Sequence, residues 1–164
     1  MAEDQSYPRV KKFFFLFIFI LSFSKAYSEN FKFIKIANLN NPWGSSFLNN
    51  DEMIITEKSG LIKIVNIINN QVNDVEHNLN FLEDGQGGLL DILHQENKVW
   101  ISYTENRGNR KTSTSIALAN LDKKNLVFKN IFQANPPINS GYHFGSRLAI
   151  KDNYLYASAG ERGK

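Results

Sequence analysis

The chain has 164 residues, 42% of them apolar and 13% aromatic, enough for one domain with a real core and too apolar for a disordered chain. The formal net charge of +3 does not point to nucleic acid, because four of the 19 basic and two of the 16 acidic side chains lie in residues 1–28 and the remainder is near balance. There is no cysteine, so disulfides are excluded and stability must come from packing.

Residues 9–28 read RVKKFFFLFIFILSFSKAYS. Three cations precede an uninterrupted apolar run, Phe13 to Leu21, and small residues follow around Ala26 and Ser28. That layout predicts a secretory signal peptide over 1–28, cleaved before Glu29. An uncleaved N-terminal anchor is the alternative, although the run is short for a bilayer span. The acidic leader MAEDQSYP is unlike a signal, and a true start near Val10 would explain it. Residues 29–164 are then expected outside the cytoplasm, with no membrane span after cleavage.

Beyond residue 28 no helical period is found. Short apolar or alternating runs recur, each bounded by Gly, Asn or Asp. The pattern predicts strands over 31–37, 52–56, 61–65, 89–93, 98–104, 115–121, 125–132, 147–150 and 154–159. Turn signals lie between them, as in Lys58-Ser59-Gly60 and Lys151-Asp152-Asn153. The class is all-β, with neighbouring strands joined as antiparallel meanders. The basic cluster Arg107, Arg110 and Lys111 falls in a Gly/Asn-rich turn and reads as a solvated loop.

Three stretches repeat one plan: GSSFLNNDEMIITEKSG from Gly44, GLLDILHQENKVWISYTENRG from Gly88 and GSRLAIKDNYLYASAGERG from Gly145. Each has a glycine, a strand, a polar turn, a second strand, then a polar residue and a Gly turn. A spacing of about 50 residues suits one four-stranded propeller blade per repeat. A β-sandwich is the alternative. A closed propeller needs roughly four to eight blades. Residues 29–164 hold two to three, so the chain reads as the N-terminal part of a longer gene product.

Simple catalytic motifs are missing: there is no GxxxxGK[ST], HExxH, CxxC or GxSxG, and His77, His94 and His143 have no ligand-like spacing. Three places remain. Gln86, in Gly85-Gln86-Gly87-Gly88, stands either in a tight connection or where a ligand is met. His143, before the last repeat's first strand, is either a turn histidine bonded to backbone or a base titrating near neutral pH. Glu161, after the next strand, is either an exposed turn charge or the acid that fixes the tautomer of His143.

These residues stand inside longer motifs: Pro42-Trp43-Gly44, Thr56-Glu57-Lys58-Ser59-Gly60, Gly85-Gln86-Gly87-Gly88-Leu89-Leu90-Asp91, His143-Phe144-Gly145-Ser146-Arg147-Leu148 and Gly160-Glu161-Arg162-Gly163. In that order they resemble the soluble quinoprotein glucose/sorbosone dehydrogenases, or aldose sugar dehydrogenases, over about residues 38 to 164. The resemblance implies a six-bladed β-propeller in the full-length family. It implies a periplasmic enzyme that oxidises aldose sugars at C1 to lactones, with pyrroloquinoline quinone and calcium. His143 would be the catalytic base and Gln86 a substrate contact. Glu161 stands where the family usually has Asp in a Gly-Asp-x-Gly turn, one methylene shorter. The residues that hold quinone and calcium in the family lie in later blades, so both cofactors are expected mainly from outside these 164 residues. The chain by itself is expected to be inactive. A propeller that keeps the fold as a cofactor-free binding module is the alternative; a lactonase lacks the acidic metal cluster it would need.

Overall fold

The computed structural model describes residues 31–163, so the signal peptide assigned to 1–28 lies outside the described residues. The apolar and alternating runs pair with their sequence neighbours wherever a turn signal returns the chain. β1 (Pro42–Phe47), β2 (Glu52–Glu57), β3 (Leu61–Asn66) and β4 (Val72–His77) form an antiparallel meander. β5 (Leu89–Gln95), β6 (Lys98–Asn106) and β7 (Thr112–Asn120) form a second. Between the two, β8 (Asn125–Leu126) pairs parallel with β4, and β9 (Lys129–Gln133) then joins β7 as the second sheet's outer strand. β10 (Gly145–Lys151) and β11 (Tyr154–Ala159) make an antiparallel hairpin. No helix occurs among the described residues. Two four-stranded meanders followed by a hairpin of the same plan are what a partial β-propeller looks like.

Two expectations are corrected. The run 31–37 is not a strand, and Phe31, Phe33 and Ile34 are exposed. Strand propensity is realised only against a neighbour, and no neighbouring strand accepts this run. The run 125–132 is not one strand but β8 and β9, because Leu126 and Phe128 turn inward to the core between them. β4 was not legible at all: in VNDVEH only Val75 is buried, so its alternation is weak.

The sheets stack through a repeated device. In each repeat the first strand is bulged, between Pro42 and Ser45, Leu89 and Ile92, and Gly145 and Leu148. These bulges make Gly44, Asp91 and Arg147 equivalent, whereas the sequence alignment on Gly44, Gly88 and Gly145 is slipped. At each bulge a backbone N–H donates to a hydroxyl on the second strand: Gly44 N to Thr56 Oγ1, Asp91 N to Ser102 Oγ and Arg147 N to Ser158 Oγ, each at 3.0 Å. The same hydroxyls donate onward to the next sheet, Thr56 to the Leu90 carbonyl at 2.5 Å and Ser102 to the Ser146 carbonyl at 2.7 Å. Thr56 and Ser102 are fully buried, which leaves no water to replace these bonds.

The core lies between the first two sheets. Ile54, Ile62, Ile64 and Val75 meet Leu89, Ile92, Val99 and Ile101, closed by Leu126 and Phe128. Each such side chain contributes about 1.5–3 kcal/mol by leaving water. The β10–β11 hairpin is held on the second sheet more by polar contacts. The buried Asp91 carboxylate accepts from Leu148 N at 2.8 Å and from Arg147 Nη1 at 3.1 Å. This fixes the start of β10, and with it the loop that carries His143.

Candidate functional site

Three segments converge before β10: the 84–88 loop, the 139–144 loop and the turn after β11. Glycine lets the first two touch. Gly85 has a φ of +56°, and a Cβ there would overlap the Gly141 carbonyl. Across this contact Gln86 N donates to the Gly141 carbonyl at 2.7 Å, and the Gln86 Oε1 accepts from His143 N at 2.9 Å. Gln86 is thereby locked by its carbonyl oxygen, and its Nε2 hydrogens remain for another acceptor.

His143 has a φ of +50°, a left-handed conformation that costs a non-glycine residue about 1–3 kcal/mol. The Gln86 bond and the close approach of Gly160 hold it there; a Cβ on Gly160 would run into the His143 backbone. The turn after β11 carries Glu161 back to the ring, and Glu161 Oε1 meets His143 Nδ1. Gly163 N donates to the same oxygen at 3.2 Å. The bond from His143 holds the Glu161 carboxyl below its ordinary pKa; desolvation opposes it, and the backbone N–H groups of Glu161 and Gly163 add to the lowering. Glu161 is therefore a carboxylate and Nδ1 carries the proton. In the neutral ring the lone pair then sits on Nε2, the tautomer that can take a proton from a hydroxyl. The two side chains are about half exposed, 52% and 56%.

The three residues singled out in the sequence, Gln86, His143 and Glu161, are thus in one connected group. A fourth was missed. Arg162, next to Glu161, is 9% exposed and threads its guanidinium under the loop. Its Nε donates to the Tyr142 carbonyl at 3.0 Å, and its Nη groups reach Thr112 and the Ser140 carbonyl. Burial lowers its pKa, an effect opposed by the charge of Asp84. Its only sequence signal was its place in Gly-Glu-Arg-Gly. The other histidines do not join the group: His77 Nε2 bonds the Gly60 carbonyl at 2.8 Å and His94 Nδ1 the Phe47 carbonyl at 3.1 Å. Among the described residues no three His, Cys, Asp or Glu side chains gather where a metal ion would be held.

Known proteins resemble this chain in sequence and fold. The Glucose / Sorbosone dehydrogenase family model matches residues 39–164. The aldose sugar dehydrogenase YliI of Escherichia coli K12 is 29% identical over 136 residues, covering 77% of this chain and 37% of that protein. The apo crystal structure of the soluble aldose sugar dehydrogenase from Escherichia coli superposes with a TM-score of 0.70 at 28% identity, over 77% of this chain and 39% of the other. The PQQ-bound aldose sugar dehydrogenase of Streptomyces coelicolor shares the fold, with a TM-score of 0.70 at 23% identity, over 80% of this chain and 41% of its own. The chain thus spans about two-fifths of the length of these relatives. With nearly every residue after the signal-like segment inside the family match, the chain belongs to the glucose/sorbosone dehydrogenase family.

Proposed function

We propose that these residues form the sugar end of the active site of a periplasmic quinoprotein dehydrogenase, which oxidises an aldose at C1 to the lactone. The observation that carries the reading is the contact between Glu161 and His143 Nδ1, which leaves Nε2 free as a base. A hydroxyl at C1 gives its proton to Nε2, and the imidazolium that forms is stabilised by the adjacent carboxylate. The Gln86 amide donates to a neighbouring sugar oxygen and, through its bond to His143 N, keeps that contact in register with the base.

Pyrroloquinoline quinone would supply the hydride acceptor when bound. Its carboxylates call for cations. Here Arg162 is spent on backbone carbonyls, and Arg147 gives one Nη to Asp91 while its side chain is largely exposed; no described residue is assigned to hold the quinone. Calcium likewise has no ligand set among the described residues. Both cofactors would be held by other parts of the whole protein, and the 164 residues alone would be inactive. Periplasmic location follows from the signal-like segment and is checked by N-terminal sequencing of the exported protein, which should begin at Glu29.

The reading is tested with His143→Gln in the whole protein, given the quinone, calcium and an aldose. Loss of a general base costs about 10²–10⁴-fold in kcat. Undiminished dye reduction by the variant would overturn the assignment.

A further inference from the structure

We propose that Arg162 is the positioning residue that holds His143 against Glu161. Its functional weight rests on His143 being the base; its geometry stands without that reading. Arg162 donates Nε to the Tyr142 carbonyl at 3.0 Å, one Nη to the Thr112 carbonyl at 3.3 Å, and the other to Thr112 Oγ1 at 2.8 Å and to the Ser140 carbonyl. The guanidinium lies 3.7 Å from the centre of the Phe144 ring. Ser140 Oγ returns a bond to the Arg162 carbonyl at 2.7 Å. The side chain therefore grips both chain neighbours of His143, Tyr142 and Phe144, and anchors them to the first residue of β7. The backbone of the same arginine carries Glu161. One residue ties the base loop to the carboxylate turn.

Two features separate this from ordinary packing. Among the described residues no carboxylate lies within ion-pair distance of Arg162; carbonyl dipoles and a ring face meet its charge at contact, and the charge of Asp84 acts on it from further away. Five donors in a rigid plane suit that arrangement, and a lysine ammonium does not reproduce it. Arg162 also has a φ of +65°, and Gly163 follows at +78°. Glycine would occupy the first position with less strain, so the long side chain, not backbone preference, justifies an arginine there.

The test is Arg162→Lys in the whole protein with ¹⁵N-labelled histidine. The imidazole ¹⁵N shifts of neutral His143 report which nitrogen carries the proton. Wild type is expected to show the Nδ1–H form dictated by Glu161, and Arg162→Lys a large population of the Nε2–H form. Glu161→Gln should do the same, and the double variant should move no further, because both changes break one contact. With quinone and aldose, kcat of Arg162→Lys should fall about 10- to 100-fold with KM little changed. Should Arg162→Lys not fold, Thr112→Val, which removes the Oγ1 that accepts from Arg162 and donates to the Ser140 carbonyl at 3.4 Å, should shift the tautomer part of the way. A wild-type tautomer in the folded variant, whatever its thermal stability, overturns the positioning role. If His143→Gln stays active while the tautomer of Arg162→Lys still shifts, the base assignment fails and the positioning role stands.

Discussion

Gly160→Ala isolates the cost of separating the strand end from the base loop. Gly160 is not among the glycines with positive φ, so alanine carries no torsional penalty there. Its penalty is steric. The added Cβ would stand 2.6 Å from the His143 carbonyl carbon and 3.2 Å from the His143 Cβ, whereas ordinary contact starts at 3.4 Å. The obstructing carbonyl is backbone on a loop pinned by Gln86 and Arg162, so no flexible side chain can swing aside. The end of β11 must retreat by on the order of 1 Å, and a misplacement of that size costs about 10²-fold in rate. The assay is steady-state dye reduction by the whole protein with quinone, wild type against variant. The expected result is kcat down about 100-fold with the fold retained. Gly108→Ala is the control: its φ is +78° with nothing within 4 Å, so it adds backbone strain without displacing anything. It should lose about 1 kcal/mol of stability and keep full activity. Wild-type kcat in Gly160→Ala would refute the argument that the end of β11 must pack against His143 for the reaction to run at full rate.

Ser102→Ala should destabilise the protein by about 2–4 kcal/mol in urea titration, because it leaves the Asp91 N–H and the Ser146 carbonyl buried without partners. Ser102→Thr should be near neutral, since Thr56 fills the equivalent place, and a loss below about 0.5 kcal/mol in the alanine variant would deny the hydroxyls their stacking role. Glu161 has a folded pKa below its unfolded value, so its contact with His143 is present above the ordinary carboxylate range and is lost only as pH falls through the lower folded value. A ¹³C titration of its carboxyl should give a midpoint under 4.5, and one at or above 4.5 would contradict the contact.

The first three strands of the second sheet were legible because Leu89, Leu90 and Ile92, Val99 and Ile101, and Ile116, Ala117 and Ala119 stand in short apolar runs bounded by turn residues, buried on both faces for much of their length. The third-repeat hairpin was legible from its turn residues, Asp152 and Asn153, which take φ values of +51° and +64°. Two kinds of feature were not. The stacking hydroxyls look like any polar strand residue, and their acceptors, Leu90 and Ser146, lie 34 and 44 residues further along the chain. Arg162 reads as a turn charge until the fold brings Thr112, 50 residues earlier, beneath it. Sequence periodicity reports which face of an element is buried; it carries no information on which distant carbonyl a buried donor will find. The glycine-based repeat alignment slipped for the same reason, since the bulge that sets the true register is a property of strand pairing.

The true register explains why the candidate base stands where it does. In each repeat the hairpin is closed at its open end by one backbone bond: Lys58 N to the Asn41 carbonyl at 3.1 Å, Thr104 N to the Gly88 carbonyl at 2.9 Å, and Gly160 N to the Phe144 carbonyl at 3.2 Å. The residues one step beyond that bond hold equivalent places in the three repeats, and only in the third do the two side chains meet. In the first repeat they are Asn40 and Ser59, in the second Gly87 and Glu105, and in the third His143 and Glu161. At the second, Glu105 turns away to bind Ser115 at 2.7 Å, and Gly87 is packed so tightly that a Cβ would lie 2.6 Å from Thr104 Oγ1. That packing leaves no room for a reactive group. At the third, a glycine at 160 in place of Thr104 opens the space, and a ring fills it opposite a carboxylate. His143 and Glu161 lie just outside the β10–β11 ladder, whose outermost pair is Gly145 and Ala159, so the sheet brings the two segments together and their outer side must be held by other contacts. Gln86 and Arg162 provide that hold, one from the preceding repeat and one from beneath.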